Sequence, residues 1–150
     1  KGTFFVVGEN AERYANTISD LRANGHEVAN HTQHHIKGWQ SSKELYLKDI
    51  EECAKAIGSK RLFRPPYGQI NLGCMDELTG DYEVIMWDVL TKDYLKSLFV
   101  KRAQKRIQKA TRPGSIVVFH DSEKAEKNLK ELLPEYVQFL KSEGYKMEVL

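Results

Sequence analysis

Residues 27–66 read Glu27-Val28-Ala29-Asn30-His31-Thr32-Gln33-His34-His35, then Ser41-Ser42-Lys43-Glu44 opening a long segment to Ile57-Gly58, then Leu62-Phe63-Arg64-Pro65-Pro66. The first and last pieces are short β-rich runs. The piece between carries Leu45, Leu47, Ile50, Cys53, Ala54 and Ile57 at helical spacing, which predicts a helix ended by Gly58. Ser41 followed three residues later by Glu44 is a capping box for its start. A strand, a helix and a second strand in this order form a βαβ unit, and two strands joined by such a crossover pair in parallel. Pro65 and Pro66 stop the second strand, because neither can donate to a ladder.

The same alternation extends in both directions. Upstream, residues 3–7 form a strand, and Asn10 caps a helix over 11–24 whose Tyr14, Ile18 and Leu21 share a face before Gly25 ends it. Downstream, a weaker helical piece covers 71–80, and the apolar run Val-Ile-Met-Trp-Asp-Val at 84–89 predicts a strand buried on both faces. A helix over 97–111 ends at Pro113-Gly114, and residues 115–119 form a fifth strand. A long helix follows over 124–143, kinked at Pro134, and 146–150 form a last strand. The expectation is an α/β fold with a mainly parallel sheet, in one folding unit spanning residues 1–150.

Composition narrows the function classes. Lys and Arg number 23 against 21 Asp and Glu, a net charge of +2 that selects neither nucleic acid nor an anionic membrane as partner. The basic run Lys101, Arg102, Lys105, Arg106, Lys109 and Arg112 has no interleaved aromatics to stack on bases and reads as a solvated helix face. No apolar run reaches the roughly 20 residues needed to cross a bilayer. The two cysteines, Cys53 and Cys74, have no C-x-x-C spacing, so neither a disulfide framework nor a thiolate zinc cluster is indicated.

The unusual polar residues follow directly after strands. In parallel α/β folds the carboxyl ends of the strands form one rim, where ligands and catalytic groups converge. Four clusters are therefore expected as neighbours. In Asn30-His31-Thr32-Gln33-His34-His35, a helical turn would set His31 and His35 at i and i+4, close enough to share a divalent ion. Zinc suits two imidazoles without sulfur, and cobalt, nickel or iron remain alternatives. A polar loop of solvated histidines is the bland reading. In Arg64-Pro65-Pro66-Tyr67-Gly68 the prolines stiffen a turn that can aim the Tyr67 N–H at a developing oxyanion, and Arg64 can grip a carboxylate. An ordinary proline turn is the alternative. Trp87-Asp88-Val89 through Asp93 and Val117-Val118-Phe119-His120-Asp121 complete the set. There a histidine beside acids is held in one tautomer, ready to protonate a leaving group, and Trp87 reads as core or sugar platform.

Together these residues resemble the polysaccharide deacetylase family, the NodB homology domain of carbohydrate esterase family 4. The resemblance is carried in family order by Thr3-Phe4-Phe5-Val6-Val7-Gly8, His31-Thr32-x-x-His35, Arg64-Pro65-Pro66-Tyr67-Gly68, Trp87-Asp88-Val89 through Asp93, and Ile116 to Asp121. It implies a distorted (β/α) barrel and a metal-dependent N-deacetylase of N-acetylglucosamine-type residues in peptidoglycan, chitin or related glycans, acting outside the cell or in its envelope. Residue by residue, His31 and His35 look like metal ligands, Arg64 like the residue orienting the base, and Tyr67 like the oxyanion-stabilising amide. His120 looks like the acid. Pro66, Trp87 and Val118 would line the substrate, Val118 standing where the family has a leucine. The family's T-F-D-D segment, source of a metal aspartate and the base, would lie before residue 3, so these 150 residues are expected to be an N-terminally incomplete domain, inactive alone. Leu90 and Tyr94 also depart from the family's D-x-x-D-W pattern. Asp93 remains to orient Arg64 or His120, with Asp88 as the other candidate. The competing class is a non-catalytic carbohydrate- or metal-binding module.

Overall fold

The computed structural model describes residues 1–150, which divide into two compact units: residues 1–86 with 148–150, and residues 87–147. The first unit is built on a parallel sheet of four strands in the order β1 (Thr3–Val6), β2 (Glu27–Asn30), β3 (Leu62–Phe63) and β4 (Glu83–Val84). Between them run α1 (Gly8–Arg13), α2 (Ala15–Ala23), α3 (Lys43–Ile57) and α4 (Met75–Asp81). The second unit holds a parallel pair, β5 (Val89–Leu90) with β6 (Val117–Val118), and the helices α5 (Val100–Ala110) and α6 (Glu126–Ser142). Every ladder is parallel, as the βαβ reading requires.

Helix α3 shows how the first unit is fastened. Its apolar stripe is divided between two buried clusters. Tyr46, Ile50 and Ala54 pack with Phe63, Cys74, Leu78 and Tyr82, while Cys53 and Ile57 pack with Ala11 and Val28. At about 1.5–3 kcal/mol for each large apolar side chain buried, this helix is the main strut of the unit. Ser42, not Ser41, is its N-cap, accepting from the Leu45 N–H at 3.2 Å. The Ser41 hydroxyl instead donates to the Lys37 carbonyl at 2.9 Å. At the other end Gly58 sits at φ 64°, the left-handed conformation glycine adopts without a Cβ penalty.

Five further expectations are corrected. The helix expected over 11–24 is two helices meeting at Tyr14 (φ −119°, ψ 44°), because α1 packs on α3 while α2 packs on β2. Asn10 does not cap α1; the Val7 carbonyl receives the Asn10 and Ala11 N–H groups at 3.0 Å each. The 84–89 run is not one strand. The carbonyls of Ile85 and Met86 are taken by the Arg64 side chain instead of a ladder, and the Asp88 and Val89 N–H groups turn to Ile116 O. Residues 146–150 form no strand, since Leu150 is held by Thr3 Oγ1 and the Arg61 guanidinium. The expected fifth strand shortens to β6.

In the second unit Val89, Ile107 and Tyr136 form the core, joined by Val117, Phe119, Phe139 and Leu140. This packs α5 and α6 against the strand pair and fixes the ends of β5 and β6, where Asp93 and His120 follow.

Candidate functional site

In the first unit the loop after β2 is shaped by hydrogen bonds from buried groups. Asn30, fully buried, donates through Nδ2 to the Ile50 carbonyl at 2.8 Å and accepts from the Thr32 N–H at 2.9 Å. Asp49, buried on α3, accepts from the His34 N–H at 3.0 Å and from His34 Nδ1 at 2.6 Å, while its carbonyl accepts from the Gln33 N–H at 3.0 Å. The side-chain bond between His34 Nδ1 and the Asp49 carboxylate raises the His34 pKa above its ordinary value. With these anchors the loop does not turn helically as the spacing predicts: Thr32 and His35 lie at φ 64° and 55°. Left-handed backbone at non-glycine residues costs of order 1–3 kcal/mol each and persists only where the surroundings enforce it. The two rings are nevertheless brought together, with His31 and His35 centroids 4.9 Å apart.

The next loop builds on this pair. His31 Nδ1 lies 2.6 Å from the Arg64 carbonyl. A carbonyl only accepts, so Nδ1 carries the proton and Nε2 is the lone-pair nitrogen, the tautomer that ligating histidines hold through such a bond. Tyr67, also left-handed at φ 59°, sets its ring 4.7 Å from that of His35, with Lys37 Nζ 5.2 Å from the tyrosine centroid. Buried Pro66 starts the turn, whose internal bonds run from Gly68 N to Pro65 O and from Gln69 N to Pro66 O at 3.0 Å. Neither uses the Tyr67 N–H. Arg64 is buried with its guanidinium 3.9 Å from the Phe5 centroid. It donates to the Ile85 and Met86 carbonyls at 3.1 and 3.0 Å, and burial lowers its pKa to about 10. These contacts make it a clamp on the exit of β4.

His34, Asp49 and Glu52 also lie within 4.8 Å of one another, a grouping that could hold a metal ion. Both Asp49 oxygens already serve His34, so loop anchorage describes the group better. Two imidazoles held as His31 and His35 are fit the chemistry of a borderline divalent ion, and each would supply one nitrogen ligand.

The second unit presents a histidine held by a carboxylate. Asp93, fully buried, accepts from the His120 N–H at 2.8 Å and from His120 Nδ1 at 2.7 Å, while its carbonyl accepts from Asn128 Nδ2 at 2.6 Å. The Tyr94 ring meets His120 edge-on at 4.8 Å. The carboxylate fixes the proton on Nδ1 and leaves Nε2 as the lone-pair nitrogen of the His120 ring. Asp88 has another task, accepting from the Ile116 N–H at 2.9 Å and facing Arg112 at 3.4 Å. Val118 is buried in β6, its carbonyl taken by the Thr91 N–H and hydroxyl, and Trp87 is half-buried.

Sequence reasoning missed Asp49. The signal for Asp49 was an acid on the apolar face of α3 between Tyr46, Ile50 and Cys53.

Comparison with known proteins adds the following. A family model described as polysaccharide deacetylase matches residues 1–79. A peptidoglycan-N-acetylglucosamine deacetylase of Bacillus cereus is 28% identical over 128 residues, which cover 81% of this chain and 46% of the relative. The chain thus spans about half the length of that curated relative. A solved peptidoglycan N-acetylglucosamine deacetylase, crystallised with 4-naphthalen-1-yl-N-oxidanyl-benzamide, matches 99% of this chain and 72% of its own, at 26% identity and a TM-score of 0.87. A mutant pseudoenzyme of carbohydrate esterase family 4 with restored enzymatic activity matches 99% of this chain and 55% of its own, at 25% identity and a TM-score of 0.82. The expected NodB-type α/β fold is thereby shown.

Proposed function

Because this chain belongs to the polysaccharide deacetylase family, we propose that it serves a metal-dependent hydrolase that removes N-acetyl groups from N-acetylglucosamine-type residues of a polysaccharide, with residues 1–150 forming one domain of that kind. The observation that carries the reading is the imidazole pair His31 and His35, with the His31 proton held on Nδ1 by the Arg64 carbonyl.

In this proposal His31 and His35 hold the ion, zinc first and cobalt, nickel or iron as alternatives. When bound, a divalent ion supplies Lewis acidity toward the acetamide carbonyl and acidifies water. The remaining roles belong to the chain. The Tyr67 N–H, set by the strained turn, donates to the oxygen on which negative charge develops. His120 Nε2 delivers a proton to the departing amine, and Asp93 keeps the ring in the tautomer and orientation for that transfer. Arg64 fixes the backbone around His31 and Tyr67. Pro66, Trp87 and Val118 are proposed to line the substrate. The products are acetate and a free amino sugar.

No helix is long and apolar enough to cross a membrane. Relatives named for peptidoglycan and chitin deacetylation support a proposed site of action outside the cell or in its envelope. The similarity to a pseudoenzyme supports a second reading, a carbohydrate-binding module without turnover. The two readings separate on one experiment. Full-length protein supplied with zinc or cobalt is expected to release acetate from N-acetylglucosamine oligomers, and chelator or His31→Ala to abolish the release. Glycan binding with no acetate release refutes the enzyme and leaves the module.

A further inference from the structure

We infer that Trp39 is the platform for a sugar ring of the bound glycan chain outside the unit undergoing deacetylation, an inference that rests on the glycan reading above and deepens it.

Trp39 is 72% exposed, and Leu72, on the neighbouring loop, is 74% exposed. Indole is among the largest apolar surfaces a chain can carry, and leaving it in water forgoes a large burial term. A floppy loop would make such exposure unremarkable, but this loop is locked. The Gly38 N–H donates to the Gln69 carbonyl at 3.1 Å, the Gln40 N–H to Lys37 O at 3.1 Å, and Asn71 Nδ2 to the Ser41 carbonyl at 2.9 Å. The Asn71 side chain is itself held by the Gly73 N–H at 3.0 Å. The two loops approach so closely at Gly38 that a Cβ there would lie 2.5 Å from both Asn71 N and Gln69 O. The indole is therefore held out on a rigid mount, so little ordering entropy opposes a ligand that covers it.

Its position selects the ligand. The rings of His31, His35 and Tyr67 follow one another at 4.9 and 4.7 Å, and Lys37 Nζ continues the series over Tyr67 at 5.2 Å. Trp39 is two residues beyond Lys37. Four residues of chain from His35 place its Cα within about 14 Å of the histidine, a span that a short oligosaccharide bridges. A pyranose offers an apolar C–H face for the indole and hydroxyl or acetamide oxygens for its N–H, the mixed chemistry that suits tryptophan at a wet surface. The occupant is thus a chain of N-acetylhexosamine units running outward from the imidazole pair.

The test uses full-length protein with N,N′-diacetylchitobiose and penta-N-acetylchitopentaose, reading acetate release and tryptophan fluorescence. Trp39→Ala is expected to lower kcat/KM for the pentamer about tenfold through KM, equivalent to roughly 1.4 kcal/mol, and to collapse the preference for pentamer over dimer. Trp39→Phe is expected to restore most of that preference. An unchanged pentamer KM in Trp39→Ala, or an equal loss on dimer and pentamer, overturns the inference. So does a wild-type self-association that Trp39→Ala abolishes while pentamer affinity stays the same. If wild-type protein binds penta-N-acetylchitopentaose in a Trp39-dependent way yet releases no acetate, the platform stands and the deacetylase reading falls. If it neither binds nor releases, both fall.

Discussion

Replacing Asp49 with alanine tests whether the histidine loop is held from α3. The wild-type carboxylate accepts the His34 N–H at 3.0 Å from a residue that is only 4% exposed. Deleting the charged acceptor of this partly buried hydrogen bond costs about 1.5–3 kcal/mol. The second bond, to His34 Nδ1 at 2.6 Å, involves a side chain 55% exposed, so solvent screening reduces it to roughly 0–1 kcal/mol. Together these give about 1.5–4 kcal/mol. For a chain of this size that corresponds to a fall in Tm of about 3–16 °C, read by circular dichroism. A consequence for the metal follows. With the anchor gone, Thr32 and His35 relax from φ 64° and 55°, and the rings lose their 4.9 Å approach. Cobalt affinity, followed by its visible absorption, is expected to drop about tenfold or more at a temperature where the variant remains folded. Asp49→Asn presents an amide N–H₂ where one of two acceptors was needed and is expected to fall between wild type and alanine. A Tm within 1 °C of wild type, or a stability loss with cobalt affinity intact, refutes the reasoning.

Two other changes probe separate parts of the molecule. Gly38→Ala drives a methyl into the Gln69–Asn71 backbone and is expected to cost about 1–3 kcal/mol, visible as a lower urea midpoint; an unchanged midpoint means that the loops are not locked. Asp93→Asn preserves shape but no longer enforces the Nδ1-protonated form of His120, so kcat is expected to fall about 10- to 1,000-fold in the full-length enzyme, with metal affinity unaltered; unchanged kcat would remove His120 from the proton transfer.

The alternation of β-rich and helical segments was legible because hydrophobic period is local, and α3 in particular announced itself through Tyr46, Ile50, Cys53 and Ile57. Long-range competition was not legible. Nothing in the apolar run at 84–89 reveals that an arginine twenty residues earlier captures its carbonyls and cuts the strand. The capping box fell one residue early because Ser41 and Ser42 are chemically alike, and only the Lys37 carbonyl decides between them. His31 and His35 were legible as a pair from their spacing, but for an incomplete reason. A helical turn was expected, whereas buried Asn30 and Asp49 hold a left-handed loop that brings the rings together by another path. The pairing of Asp93 with His120 was open between several partners until the ends of β5 and β6 placed them side by side.

The acceptor that holds the His31 proton is a main-chain oxygen. Codon changes at position 64 alter a guanidinium yet leave that oxygen in the polymer, so this imidazole's protonation form is shielded from point mutation in a way that His120, dependent on one carboxylate, is not. Under the roles proposed above, genetic drift should accordingly silence proton donation by His120 before ion binding by His31 and His35, so that a descendant without turnover would still grip an ion.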